Sequence, residues 1–133
     1  MISVLRNSVA RRIGADARAS DILERVRDGL LPLDDAVIEL ADRNEMLGLA
    51  GLVAERLGIE PEGVCRAVAT PSEQLLTVLC RAAGLNVNAF SAVLRMRCRA
   101  RGAMHAPARA LSAFHEMPVE TARRMVHMAA ART

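Results

Sequence analysis

Apolar residues recur every three or four positions along most of the chain, and no stretch alternates apolar with polar residues for the length of a strand. The period points to helices and away from sheet. Its clearest element is 70–84, TPSEQLLTVLCRAAG. Thr70 with Glu73 three residues on reads as a capping box, Pro71 suits the first helical position, and Gly84 suits the left-handed residue that ends a helix. Between them Leu75, Leu76, Val78, Leu79, Cys80, Ala82 and Ala83 are apolar on nearly every side. Such a helix is covered by its neighbours, so this one is expected at the centre of an all-α domain.

The other elements follow in order. Ile2, Leu5, Val9 and Ile13, with Arg6, Arg11 and Arg12 between them, predict a first amphipathic helix, docked on its neighbour or, in the alternative, resting on an anionic membrane surface. Ser20 precedes Ile22, Leu23, Val26 and Leu30, a second helix that stops near Gly29. Asp34 and Asp35 open a third, where acids suit the positive end of the helix dipole. A fourth spans about 45–57, and Gly48 and Gly51 inside it predict close approach of another helix. A fifth covers 61–69, with Val64, Cys65 and Val68 inward. After the central helix, Asn86 caps a seventh with Phe90, Val93 and Leu94 on its apolar side. An eighth runs about 107–114, and a ninth from near Pro118 carries Val119, Ala122, Met125, Val126 and Ala129. Gly29-Leu30, Gly58-Ile59, Gly84-Leu85 and Glu116-Met117 punctuate the chain at spacings of 26 to 32 residues, about one helix pair per unit. Periods of that length predict stacked helical hairpins, and 133 residues suit one domain, 1–133.

Three segments carry a resemblance: LLPLDDAVIELA (30–41), LLTVLCRAAGLNVNAFSAVLRMR (75–97) and FHEMPVETARRMVHM (114–128). They resemble a bacterial family known as domain of unknown function 2336. The most specific piece is Cys80-Arg81-Ala82-Ala83-Gly84-Leu85 with the helix after it. The resemblance implies an all-helical, HEAT-like stack of about nine helices in a right-handed superhelical array, and it supplies no catalytic residue. Members of that family are usually longer, so the chain reads as a short relative or a fragment.

Composition narrows the chemistry. Hydrophobic residues are 52% and aromatics 2%, namely Phe90 and Phe114, so the core must come from aliphatic residues and Ala. All 18 basic residues are Arg. Residues 1–64 hold 8 Arg and 12 acids, a net of −4, whereas residues 65–133 hold 10 Arg and 3 acids, a net of +7. Such asymmetry marks a face for an acidic partner or two halves that attract each other. Cys65, Cys80 and Cys98 form no CxxC pair and read as reduced, core-lining thiols of a cytoplasmic protein. His105, His115 and His127 share no ligand spacing with them, so neither metal nor cofactor is expected, and a chelator should leave the melting temperature unchanged. Cys98 near His105 is the one close pair of nucleophile and base in sequence, with no oxyanion hole or phosphate loop to go with it, and no enzyme is expected. No apolar run is long enough for a membrane span.

The basic run is the most informative polar feature. Phe90, Val93, Leu94, Arg97 and Arg101 share one stripe of the seventh helix, while Arg95 and Arg99 take the opposite side. Arg123 and Arg124 on the last helix would widen the patch if it folds nearby. One reading is a solvated helix end, where cations are favoured. The other is capture of phosphate or carboxylate. Arg97 should lie with its stem on apolar surface and its head on an acid such as Glu55, Asp42 or Glu45, or on a ligand. The expected function is a non-catalytic protein-interaction module, a scaffold or regulator with a protein partner. The alternative is phosphate-backbone or nucleotide binding through Arg95, Arg97, Arg99, Arg101, Arg123 and Arg124. A homo-oligomer is compatible with both.

Overall fold

Left-handed glycines punctuate the chain where the periodicity breaks: Gly29, Gly58 and Gly84 have φ of 75°, 69° and 78°. A residue without Cβ takes this conformation at no steric cost and so closes a helix. The computed structural model, which describes residues 18–70, 72–101 and 108–131, has eight α-helices, three of whose junctions fall at these glycines, and no strand among the described residues. They are α1 Ala19–Arg27, α2 Leu33–Asp42, α3 Met46–Leu57, α4 Pro61–Ala69, α5 Gln74–Ala82, α6 Val87–Arg101, α7 Ala108–Glu116 and α8 Val119–Ala131. The fold is all-α. The predicted first helix, 2–13, lies outside the described residues.

One contiguous core joins the helices, from Ile22 on α1 to Val126 on α8. Neighbours in sequence pack as pairs, α2 on α3 and α3 on α4, but the most extensive packing joins α6 to α2 and α8 to α5. The chain therefore folds back on itself, which a strictly linear stack of hairpins does not do. The two phenylalanines meet in this core: Phe90 of α6 and Phe114 of α7 stack with centroids 4.4 Å apart and planes 10° from parallel. Gly48 does admit a close approach, since a Cβ there would sit 3.2 Å from the Cβ of Ala19 and 3.4 Å from a methyl of Leu40.

The centre differs from expectation in its first turn. α5 begins at Gln74, and no capping box closes on Thr70. Thr70 instead ends α4, its Oγ1 donating to the Arg66 carbonyl at 2.6 Å, while Ser72 Oγ accepts from the Gln74 amide at 3.2 Å. Glu73 is drawn away by an ion pair with Arg97. Leu76, Thr77, Val78, Leu79, Cys80 and Ala82 are buried as a central helix requires, but Leu75 is 43% exposed.

Candidate interaction surface

A helix leaves its last carbonyls without intrahelical donors. Here arginines from other helices supply them. Arg97 Nη2 on α6 donates to the Thr70 carbonyl, just past α4, at 2.7 Å. Arg99 Nη2, two residues on, donates to the Ala41 carbonyl in the last turn of α2 at 2.7 Å, and its Nε to Asn44 Oδ1 at 3.0 Å. Arg123 Nε on α8 donates to the Ala82 carbonyl at the end of α5, 3.3 Å away. Arg81 Nε on α5 donates to the Met117 carbonyl, just past α7, at 2.7 Å, with its guanidinium carbon 5.0 Å from the Phe114 ring centroid. A guanidinium is suited to this: it is planar, always charged and rich in donors, and it matches the negative end of a helix dipole.

The six arginines of the basic run therefore have different fates. Arg97 is fully buried and pairs with Glu73 at 3.5 Å. Arg99 is held at the end of α2. Arg95, half-exposed, lies 4.0 Å from Asp42. Arg123, half-exposed, also meets Glu120 at 3.3 Å. Arg124 is exposed on α8. Arg101 ends α6, and its side chain is outside the described residues. Arg95 and Arg99 reach α2 while Arg97 reaches the end of α4, as their opposite sides of the helix require. Arg95 and Arg99 join the basic half of the chain to the acidic one. Arg123 and Arg124 lie on α8, which packs on α5, while the run of α6 lies on a helix packed against α2.

The cysteines are held apart in character. Burial pushes the Cys80 thiol up to about 12, so it stays protonated, while Cys65 and Cys98 are half-buried. His105 lies outside the described residues, so the Cys98–His105 pair is not placed. Among the described residues no group of three or more His, Cys, Asp or Glu is arranged to hold a metal ion, and no helix is long and apolar enough to cross a membrane.

Among the described residues, the exposed large apolar side chains are confined to a few places. On α8 the inward seam is Ala122 and Val126; Met125 and Ala129, expected on it, are exposed, and so is Met128. Arg81 and Arg123 both tie the start of α8 to the far end of α5, so α8 runs back along α5. Met125 and Met128 thus head toward the start of α5, where Leu75 is exposed. At the acidic end, Leu30 and Leu47 are 74% and 82% exposed. An open groove of about 690 Å³ lies between the α1–α2 turn and α3, lined by Val26, Leu31, Leu33 and Leu52 among others.

A family model described as "Uncharacterised protein conserved in bacteria (DUF2336)" matches residues 1–127. The chain belongs to this family. No curated protein and no solved structure matches it. The DUF2336 match brings no assigned residue, so what this member can do rests on its exposed groups. Two of these groups escaped sequence reasoning. The carbonyl-binding role of Arg81 and Arg99 left no signal, since the helices whose carbonyls they cover, α7 and α2, do not end at glycine. The outward stripe of Met125 and Met128 had a weak one, their three-residue spacing away from the line of Ala122 and Val126.

Proposed function

We propose that this chain is a non-catalytic protein-interaction module, a scaffold or regulatory element of the bacterial cytosol, folded as one domain whose helical hairpins are of HEAT-like character. The observation that carries the reading is a contrast. Arg97 is buried inside the fold on Thr70 and Glu73, and Arg99, though exposed, is tied to Ala41 and Asn44. Met125 and Met128 on α8, and Leu75 on α5, stand in solvent. Flexible thioethers on a helix adapt to the apolar face of a partner helix, and this is a common use of exposed methionine. Arg124 beside them adds a donor for an acidic rim.

A second reading, phosphate-backbone or nucleotide binding, is supported by Arg124 and by the half-exposed heads of Arg95 and Arg123. Capture of partners from a bacterial extract, with and without nuclease and at two salt concentrations, separates the two. The module reading expects nuclease-resistant capture that is lost in Met125→Glu/Met128→Glu. Capture that nuclease abolishes, with a steep fall as salt rises, overturns it in favour of nucleic acid.

A further inference from the structure

Five of the seven methionines, Met46, Met96, Met117, Met125 and Met128, fall among the described residues, and the fold treats them unequally. Met96 on α6 is 3% exposed, and Met46 and Met117 are half-buried against the core. Met125 and Met128 are 40% and 59% exposed. Three residues apart on α8, they share one side of the helix. Ala122 and Val126 are the residues by which α8 enters the core. The thioethers open to a dissolved oxidant are therefore the ones an apolar partner would touch, and those that help hold the fold together are shielded from it.

Resting on the interaction-module reading, we propose that Met125 and Met128 are sites of reversible oxidation, and that their sulfoxides release the partner while the chain stays folded. Hydrogen peroxide supplies the oxygen: its O–O bond breaks as an S–O bond forms on the thioether lone pair, sulfur gives up two electrons, and water leaves. A dithiol methionine sulfoxide reductase reverses the step, removing the oxygen as water while its own thiols become a disulfide. The sulfoxide oxygen is a hydrogen-bond acceptor. In the free chain water solvates it, so folding stability is unchanged. Against the apolar face of a partner helix it meets no donor, and burying an unpaired polar group opposes binding. Because the two sulfurs share one side of α8, oxidation of either interrupts the same contact. Leucine at these positions would offer comparable apolar area and none of this chemistry.

Limited treatment of the full chain with hydrogen peroxide, followed by peptide mass mapping, tests this. Met125 and Met128 should each oxidise about tenfold or more faster than Met96, with helical circular dichroism and melting temperature unchanged. The proteins that the unoxidised chain captures from a nuclease-treated bacterial extract serve as the probe. Oxidation should reduce their capture by about tenfold or more, and a methionine sulfoxide reductase with dithiothreitol should restore it. Met125→Leu/Met128→Leu should capture as the wild type does and keep that capture after the same treatment. This separates the two sulfurs from Met1 and Met104, which lie outside the described residues, and from the three thiols. Oxidation of Met96 as fast as the exposed pair overturns the proposal, as does a fall in melting temperature or a leucine variant that still loses capture to peroxide. Capture that survives conversion of both sulfurs overturns the switch and leaves the module reading in place. An unoxidised wild type that captures nothing after nuclease treatment overturns the module reading, and the switch with it.

Discussion

Arg97 is the largest fully buried side chain among the described residues and a cation. Its place on the stripe of Phe90, Val93 and Leu94 is legible in the sequence, and so is the need of its head for water, an acid or a ligand. Which acid was not legible. Glu55, Asp42 and Glu45 were the expected candidates, yet the partner is Glu73, which the sequence pattern assigns to a capping box. Local capping and a tertiary ion pair competed for one carboxylate, and a buried guanidinium wins because leaving it unpaired costs several kcal/mol. Arg97→Ala should destabilise by about 3 kcal/mol in urea melts, and Arg97→Lys should recover only part of this, since one ammonium cannot span Glu73 and the Thr70 carbonyl. A loss near 0.5 kcal/mol would mean the contacts are incidental. Cys80 gives a pH test. Burial raises its pKa to about 12, above the ordinary value of 9.0, so the unfolded chain loses this proton first. The contribution is intact below about 9 and falls by about 1.4 kcal/mol per pH unit above it. Cys80→Ala should flatten that alkaline decline, and in the wild type at pH 8 Cys80 should be alkylated far more slowly than Cys65 or Cys98.

At the scale of the element, helix identities were legible because each has an apolar period and a punctuating residue; boundaries and facing were less so. Asn86 caps α6 as expected, its Oδ1 accepting from the Ala89 amide at 2.9 Å, but its own amide donates to Asp34 of α2 at 2.8 Å, a pairing no local pattern announces. Met125 sits one third of a turn off the seam of α8, and a periodic count treats it as core. The two glycines of α3 make a paired test. A Cβ at Gly51 would find its nearest neighbour 3.8 Å away, so Gly51→Ala should stabilise by up to about 1 kcal/mol through helix propensity alone. At Gly48 the 3.2 Å approach to the Cβ of Ala19 offsets that gain, and thermal melts should show Gly48→Ala neutral or destabilising. On α5, Leu79→Ala should cost about 2–5 kcal/mol, since Leu79 is only 4% exposed.

For the whole molecule, the fold class followed from periodicity, whereas the order of packing did not. α2 and α6 carry apolar faces that a sequence cannot pair across more than forty intervening residues, and their meeting is what closes the core. The charge asymmetry gave a hint, realised where Arg95 approaches Asp42. The basic run was easy to find in sequence; that much of it serves helix ends was not, because a carbonyl partner leaves no signature. Removing residues 108–133 should uncover Phe90 and the outer side of α5 together. The shortened chain is expected to lose cooperative urea unfolding and to bind a dye for exposed apolar surface, while retention of a sharp transition would show that α7 and α8 are accessories.

Three of the four guanidinium–carbonyl contacts, all but that of Arg81 with Met117, also share a direction in time. Thr70, Ala41 and Ala82 leave the ribosome before Arg97, Arg99 and Arg123, the side chains that will cover their carbonyls. A nascent chain halted before α6 holds those helix ends open to water, and α2 lacks its most extensive neighbour. Native structure is therefore postponed until most of the chain has emerged, as expected where contacts are distant in sequence. Until then a chaperone that shields apolar helices would find α2 and α5 accessible.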